Sequence, residues 1–63
     1  MTIGEKLKKL RKNESRKKVA EKLGITESSL SNYENDYRIP RDEIKKKIAC
    51  YYGVSIESIF FSE

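Results

Sequence analysis

The stretch 16–35, RKKVAEKLGITESSLSNYEN, constrains this chain more than any other. Val19, Ala20 and Leu23 share one helical face, Leu30 and Tyr33 share another, and Gly24 breaks the periodicity between them. This predicts two short helices meeting at an angle. Ala20 is small enough for the backbones to approach, and Gly24 can adopt the positive φ of a left-handed turn without steric cost. Thr26 reads as the N-cap of the second helix, with Glu27 favoured in its first turn by the macrodipole.

Sixty-three residues make at most one domain, 1–63, near the lower limit for folding without a staple. Cys50 is the only cysteine and histidine is absent, so neither a disulfide nor a Cys/His zinc site can form within one chain. No cofactor or metal is expected, and Cys50 reads as a half-buried helix residue. Every helix must then contribute to one shared core. No apolar run is long enough to cross a membrane, and Met1-Thr2-Ile3-Gly4 opens a charged helix rather than a secretory segment, which predicts a soluble, cytoplasmic protein. Without histidine, a Gly-rich phosphate loop or a paired nucleophile and base, no enzyme is expected.

Ile3, Leu7 and Leu10 fall at i, i+4 and i+7, predicting a first helix from residue 3 to about residue 13, with Lys6, Lys8, Lys9 and Lys12 facing outward. Ser15 is the natural N-cap of the second helix, although Lys18 stands where a capping box wants Glu or Gln. Beyond the third helix, 35–39 is turn-forming and Pro40 suits a helix start. Ile44, Ile48, Ala49 and Tyr52 give a fourth helix closed by Gly53, on which Lys45, Lys46 and Lys47 read as a solvated face. Ser55 caps a short last helix bearing Ile56, Ile59, Phe60 and Phe61. The expected fold is all-α, a compact five-helix bundle.

The net charge of +4 is unevenly spread: 1–24 holds nine basic and three acidic residues, net +6, whereas 25–63 holds five and seven, net −2. That asymmetry suits a polyanionic partner, and equally a solvated helix surface. Arg16, Lys17 and Lys18 oppose the dipole at the start of the second helix, a conflict tolerable where an anion docks or where the side chains stay in water.

The segments LKKLR, VAEKLGITESSLSNYEN, RIP and IACYYGVSIESIF resemble, in order and spacing, the Cro/repressor-type (XRE-like) helix-turn-helix family of bacteria and phages. The resemblance covers nearly the whole chain. It implies a lambda-repressor-like DNA-binding domain with the second and third helices as the motif, 16–35, and the recognition helix, 27–35, in the major groove. It further implies a sequence-specific transcriptional regulator, a repressor acting as a homodimer on an inverted repeat of double-stranded DNA, associated with the nucleoid.

Matched by position, Glu27, Ser28 and Asn32 fall where base edges are read, and Arg16, Lys17, Ser29, Asn35 and Arg38 where the backbone is held. The residue types fit: Asn bonds adenine bidentately, Glu accepts from cytosine N4, Ser serves either base, and Arg and Lys suit phosphate. The recognition helix carries no basic residue, so affinity must come from its flanks. Glu34 matches a glutamate that pairs with a first-helix arginine, here Arg11. Segment 54–61 holds the expected dimer contact, Ile56, Phe60 and above all Phe61, for which packing onto the chain's own first helix is the alternative. Three departures stand out. The link between the first two helices is short and lacks a glycine, Arg16 replaces the usual glutamine, and Lys45 occupies an aliphatic position that Ile44 can take over. The competing function is a protein-interaction module, antitoxin-like or adaptor, using the same fold without DNA readout.

Overall fold

A computed structural model of the protein describes residues 1–61; Ser62 and Glu63 lie outside the described residues. The elements are α1 (Ile3–Arg11), α2 (Arg16–Leu23), α3 (Glu27–Glu34), α4 (Asp42–Tyr52) and a C-terminal π turn (Glu57–Phe61). No strand occurs among the described residues. The fold is the all-α arrangement expected, with α1 and α2 packed on α3, α4 on α2 and the π turn on α1.

The core is the sum of the expected stripes. Leu7, Val19, Ala20, Leu23, Leu30, Ile48, Ile59 and Phe60 form one buried cluster, with Ile3, Leu10, Tyr33, Ile44 and Tyr52 packed around it. Each element contributes only one to three of these residues. None could bury its stripe alone, so the helices are stable only together.

Boundaries follow local chemistry. Gly24 adopts φ 71°, ψ 30° and closes α2, and Gly53 closes α4 in the same way. Thr26 Oγ1 accepts from Ser29 N at 3.0 Å, and Ser15 Oγ accepts from Lys18 N at 3.1 Å. At the start of α1, the Thr2 hydroxyl accepts from Glu5 N while Thr2 N donates to the Glu5 carboxylate at 2.8 Å, a complete capping box. The Gly4 N–H, a further orphan donor of that turn, donates to Asp36 Oδ1 at 2.8 Å from the loop after α3. These N–H groups hold the carboxyls of Glu5 and Asp36 below their ordinary range. Gly4 is buried there; a Cβ would collide with the Glu34 carbonyl and lie 2.9 Å from Asp36 Oδ2.

Several expectations are corrected. α1 ends at Arg11 rather than near residue 13, because Lys12 turns to φ 55°, ψ −120° to enter the short link. Pro40 does not open α4: it is buried two residues before Asp42, and Arg41 is an N-cap without a side-chain bond. Lys6 does not simply face outward, since it is half-buried and its ammonium donates to the Ile59 carbonyl at 3.4 Å.

Lys45 is not solvated. Its side chain is 15% exposed and its Nζ lies over the rings of Phe60 and Phe61, at 5.5 and 5.2 Å, so a snorkelling stem replaces the aliphatic residue. Cys50 is exposed, not half-buried, because Ile48, Ala49 and Tyr52 take the inward face of α4 and Cys50 falls beyond it. The last element is a single wide turn instead of a regular helix; the wider spacing lets the consecutive Ile59 and Phe60 both turn inward, 1% and 9% exposed. Ser55 caps it as expected, accepting from Ser58 N at 3.2 Å. No helix among the described residues is long and apolar enough to cross a membrane.

Candidate nucleic-acid interface

The α2–α3 pair exposes polar side chains on its outer side. Ala20 and Leu23 bury against Leu30, and the left-handed Gly24 fixes the turn, so α3 leaves the core at a set angle and exposes its opposite side. Glu27 and Ser28 stand exposed in the first turn of α3, with Asn32 half-buried one turn later on the same side. Ser29 is half-buried, and its Oγ accepts from the Thr26 hydroxyl at 2.9 Å. Asn35 is the C-cap of α3.

The loop that follows is tied to this helix. Tyr37 N and Arg38 N donate to the Asn32 carbonyl at 2.9 and 3.3 Å, and Asp36 turns at φ 62°. Arg38 is therefore held beside Asn32 by its own backbone. Its side chain borders a shallow groove with Ser29, Tyr33, Ile39 and Arg41.

The base of the site is an ion pair. Glu34 is 2% exposed, and Arg11 holds it at both oxygens, Nε to Oε2 at 2.7 Å and Nη2 to Oε1 at 3.1 Å. This is the pairing that the family resemblance implies. The same guanidinium donates to the Glu14 carbonyl at 2.7 Å, fixing the α1–α2 link. The hydrogen bonds to Glu34, with the charge of that carboxylate, raise the Arg11 pKa against the opposing effect of burial. Tyr52 lies close by, with its buried hydroxyl unpartnered among the described residues; burial pushes it up to about 12, helped by the Glu34 charge.

Arg16 reaches toward this pair, its Nε 3.8 Å from Glu34 Oε1, while Nη1 donates to Ser31 Oγ at 3.1 Å. Asn35 Nδ2 donates to the same oxygen at 3.2 Å. The structure thus brings together Arg16, Ser31 and Asn35, and separately Asn32 and Arg38, whereas Lys17 stands exposed. Ser31 is the residue that sequence reading missed, since a serine on a polar helix face looks like ordinary surface. The role of Asp36 as a cap for α1 was equally hidden, 32 positions away from the turn it serves. The capping box of Thr2 and Glu5 was missed as well, although its T-x-x-E spacing is a helix-start signal.

The expected dimer residues are divided. Phe61 is 64% exposed, Ile56 is half-buried, and Phe60 belongs to the core of its own chain. Cation–π contact with Lys45 covers one face of Phe61. Among the described residues no group of His, Cys, Asp and Glu is arranged to hold a metal ion.

The helix-turn-helix family model matches residues 7–59. The chain is 41% identical over 59 residues to the HTH-type transcriptional regulator ImmR of Bacillus subtilis (strain 168). That match takes in 90% of this chain and 46% of the relative, so the chain spans about half the length of the protein it resembles. No solved structure gives a significant match. Matched over residues 7–59 by that family model and 41% identical to that regulator, the chain belongs to the Cro/repressor-type (XRE) helix-turn-helix family.

Proposed function

We propose that this chain is a sequence-specific double-stranded DNA-binding domain of a transcriptional regulator, a repressor working as a homodimer on an inverted repeat. The observation that supports it best is the exposed face of α3. Glu27, Ser28 and Asn32 are free to meet base edges, and the cations lie on the flanks rather than on the helix. Arg16, Lys17, Ser29, Asn35 and Arg38 hold the phosphates, and α3 reads the major groove. A single motif buries too little surface for tight specific binding, so two copies spaced roughly 34 Å apart read two half-sites. Phe61 and the edge of Ile56 form the contact between them, with Phe60 behind. The regulator named above shares this motif over the matched segment, which adds support to a regulatory role.

Selection from a randomised duplex library tests the reading. An enriched inverted repeat is expected, with a salt slope of roughly −0.9 per phosphate contact. Asn32→Ala then relaxes preference at one position per half-site, a loss of about 1–3 kcal/mol in discrimination. Equal, weak binding to every duplex sinks the reading and points to a protein partner of the basic face.

A further inference from the structure

We infer that Ser31 is a positioning residue, its hydroxyl oxygen pre-setting Arg16 and Asn35 as a two-donor clamp for one DNA phosphodiester. The inference rests on the DNA-reading function proposed above. A serine oxygen has two acceptor sites, and here Arg16 Nη1 at 3.1 Å and Asn35 Nδ2 at 3.2 Å donate to it from opposite ends of the motif, the start of α2 and the end of α3. The oxygen therefore ties the two helices' outermost donors to one point.

The clamp keeps capacity for a ligand. Arg16 spends one N–H on Ser31, and its Nε stays at 3.8 Å from Glu34, within ion-pair range but too long for a hydrogen bond. Of the five N–H donors of a guanidinium, most remain available. The Arg16 side chain is 44% exposed, so much of it remains open to a ligand. Arg11 already donates to each Glu34 oxygen, and Arg16 stands at ion-pair distance without a hydrogen bond to Glu34. The first turn of α2 holds no acidic residue, and its dipole adds attraction for the same phosphate.

Such a device explains how arginine works where a glutamine is usual. An unheld arginine at a helix start samples many rotamers and must be ordered on binding; Ser31 orders it beforehand. Because both held groups meet the backbone and not a base, the benefit is the same for every sequence.

The test is Ser31→Ala in the full chain, measured on the selected duplex and on a scrambled control. Alanine is the best helix former, so folding is retained and the melting temperature does not fall. Binding to both duplexes is expected to weaken about five- to tenfold, with the ranking of base variants unchanged. In the Arg16→Ala/Asn35→Ala background, assayed at low salt, the same substitution has no further effect. Nitrogen-15 NMR of the free protein supplies a readout without DNA: the slowed rotation of the Arg16 guanidinium disappears in Ser31→Ala. Affinity retained within about twofold, an equal loss in the double-variant background, or an altered base ranking each overturns the positioning role. A wild-type chain that discriminates no duplex overturns the DNA-reading function itself and this inference with it, whereas a selective wild type with an indifferent Ser31→Ala overturns the inference alone.

Discussion

At the scale of single residues, stability is concentrated at a few unusual positions. Lys12 holds φ 55°, ψ −120°, a conformation that L side chains avoid, because α1 must turn sharply into a link with no glycine. Backbone strain of this kind costs on the order of 1–3 kcal/mol, and glycine's extra unfolded-state freedom offsets part of the relief. Lys12→Gly is therefore expected to stabilise the protein by about 1 kcal/mol and raise its Tm by several degrees, read by thermal denaturation. Glu34 is the opposite case. Its removal leaves the Arg11 guanidinium, 18% exposed, without its partner, and breaking a buried pair costs about 3–5 kcal/mol. A chain this small has a total stability of roughly 0.05–0.15 kcal/mol per residue, so Glu34→Ala should lose a large share of it and show a sharply lowered midpoint in a urea titration.

At the scale of elements, α1 shows how a helix end is completed by distant chain. Its own capping box supplies Thr2 and Glu5, and Asp36 satisfies the Gly4 N–H from the loop after α3. That contact is possible only because Gly4 lets α1 press against the Glu34 carbonyl. The Asp36 carboxyl titrates below its ordinary range, chiefly through the Gly4 N–H. As pH falls, the unfolded chain therefore takes up this proton before the folded chain does. The stabilisation is present above the ordinary aspartate range and lost as pH drops through the lowered value. In melting curves from neutral pH to about pH 2, Asp36→Asn should lose less stability on acidification than the wild type, with Glu5 supplying part of the remaining slope. A wild-type profile that is flat below the ordinary carboxylate range would count against this cap. The same helix was only partly legible: its apolar stripe was read from Ile3, Leu7 and Leu10, but its capping box went unread and its end at Arg11 follows from the link geometry.

For the whole molecule, the decisive features are the charge asymmetry and the uneven C-terminal surface. The basic half, net +6 over 1–24, carries Arg16 and Lys17, while α3 carries no cation, so the proposed function gives affinity and base reading to different elements. At the other end, Phe61 is 64% exposed, although Lys45 shields one ring face. Phe61→Ala should leave the fold intact, because Phe60 and Ile59 hold the π turn in the core. Sedimentation should show a shift toward monomer; an unchanged mass would remove Phe61 from the proposed dimer contact.

What the sequence by itself determined is everything governed by near neighbours along the chain. The 3.6-residue periodicity, the Thr26 and Ser15 caps, Gly24 and Gly53 at positive φ, and the exposed polar face of α3 are all local consequences of residue type. The family motif added the Arg11–Glu34 pair, 23 positions apart, which no local rule would find. Only the tertiary structure decided which side chains meet across elements. It folded Lys45 over Phe60 and Phe61, left Cys50 outside, turned Asp36 back onto α1, and joined Arg16 to Asn35 through Ser31. Those outcomes depend on the angle and distance between packed helices, and sequence spacing along any one helix does not encode them.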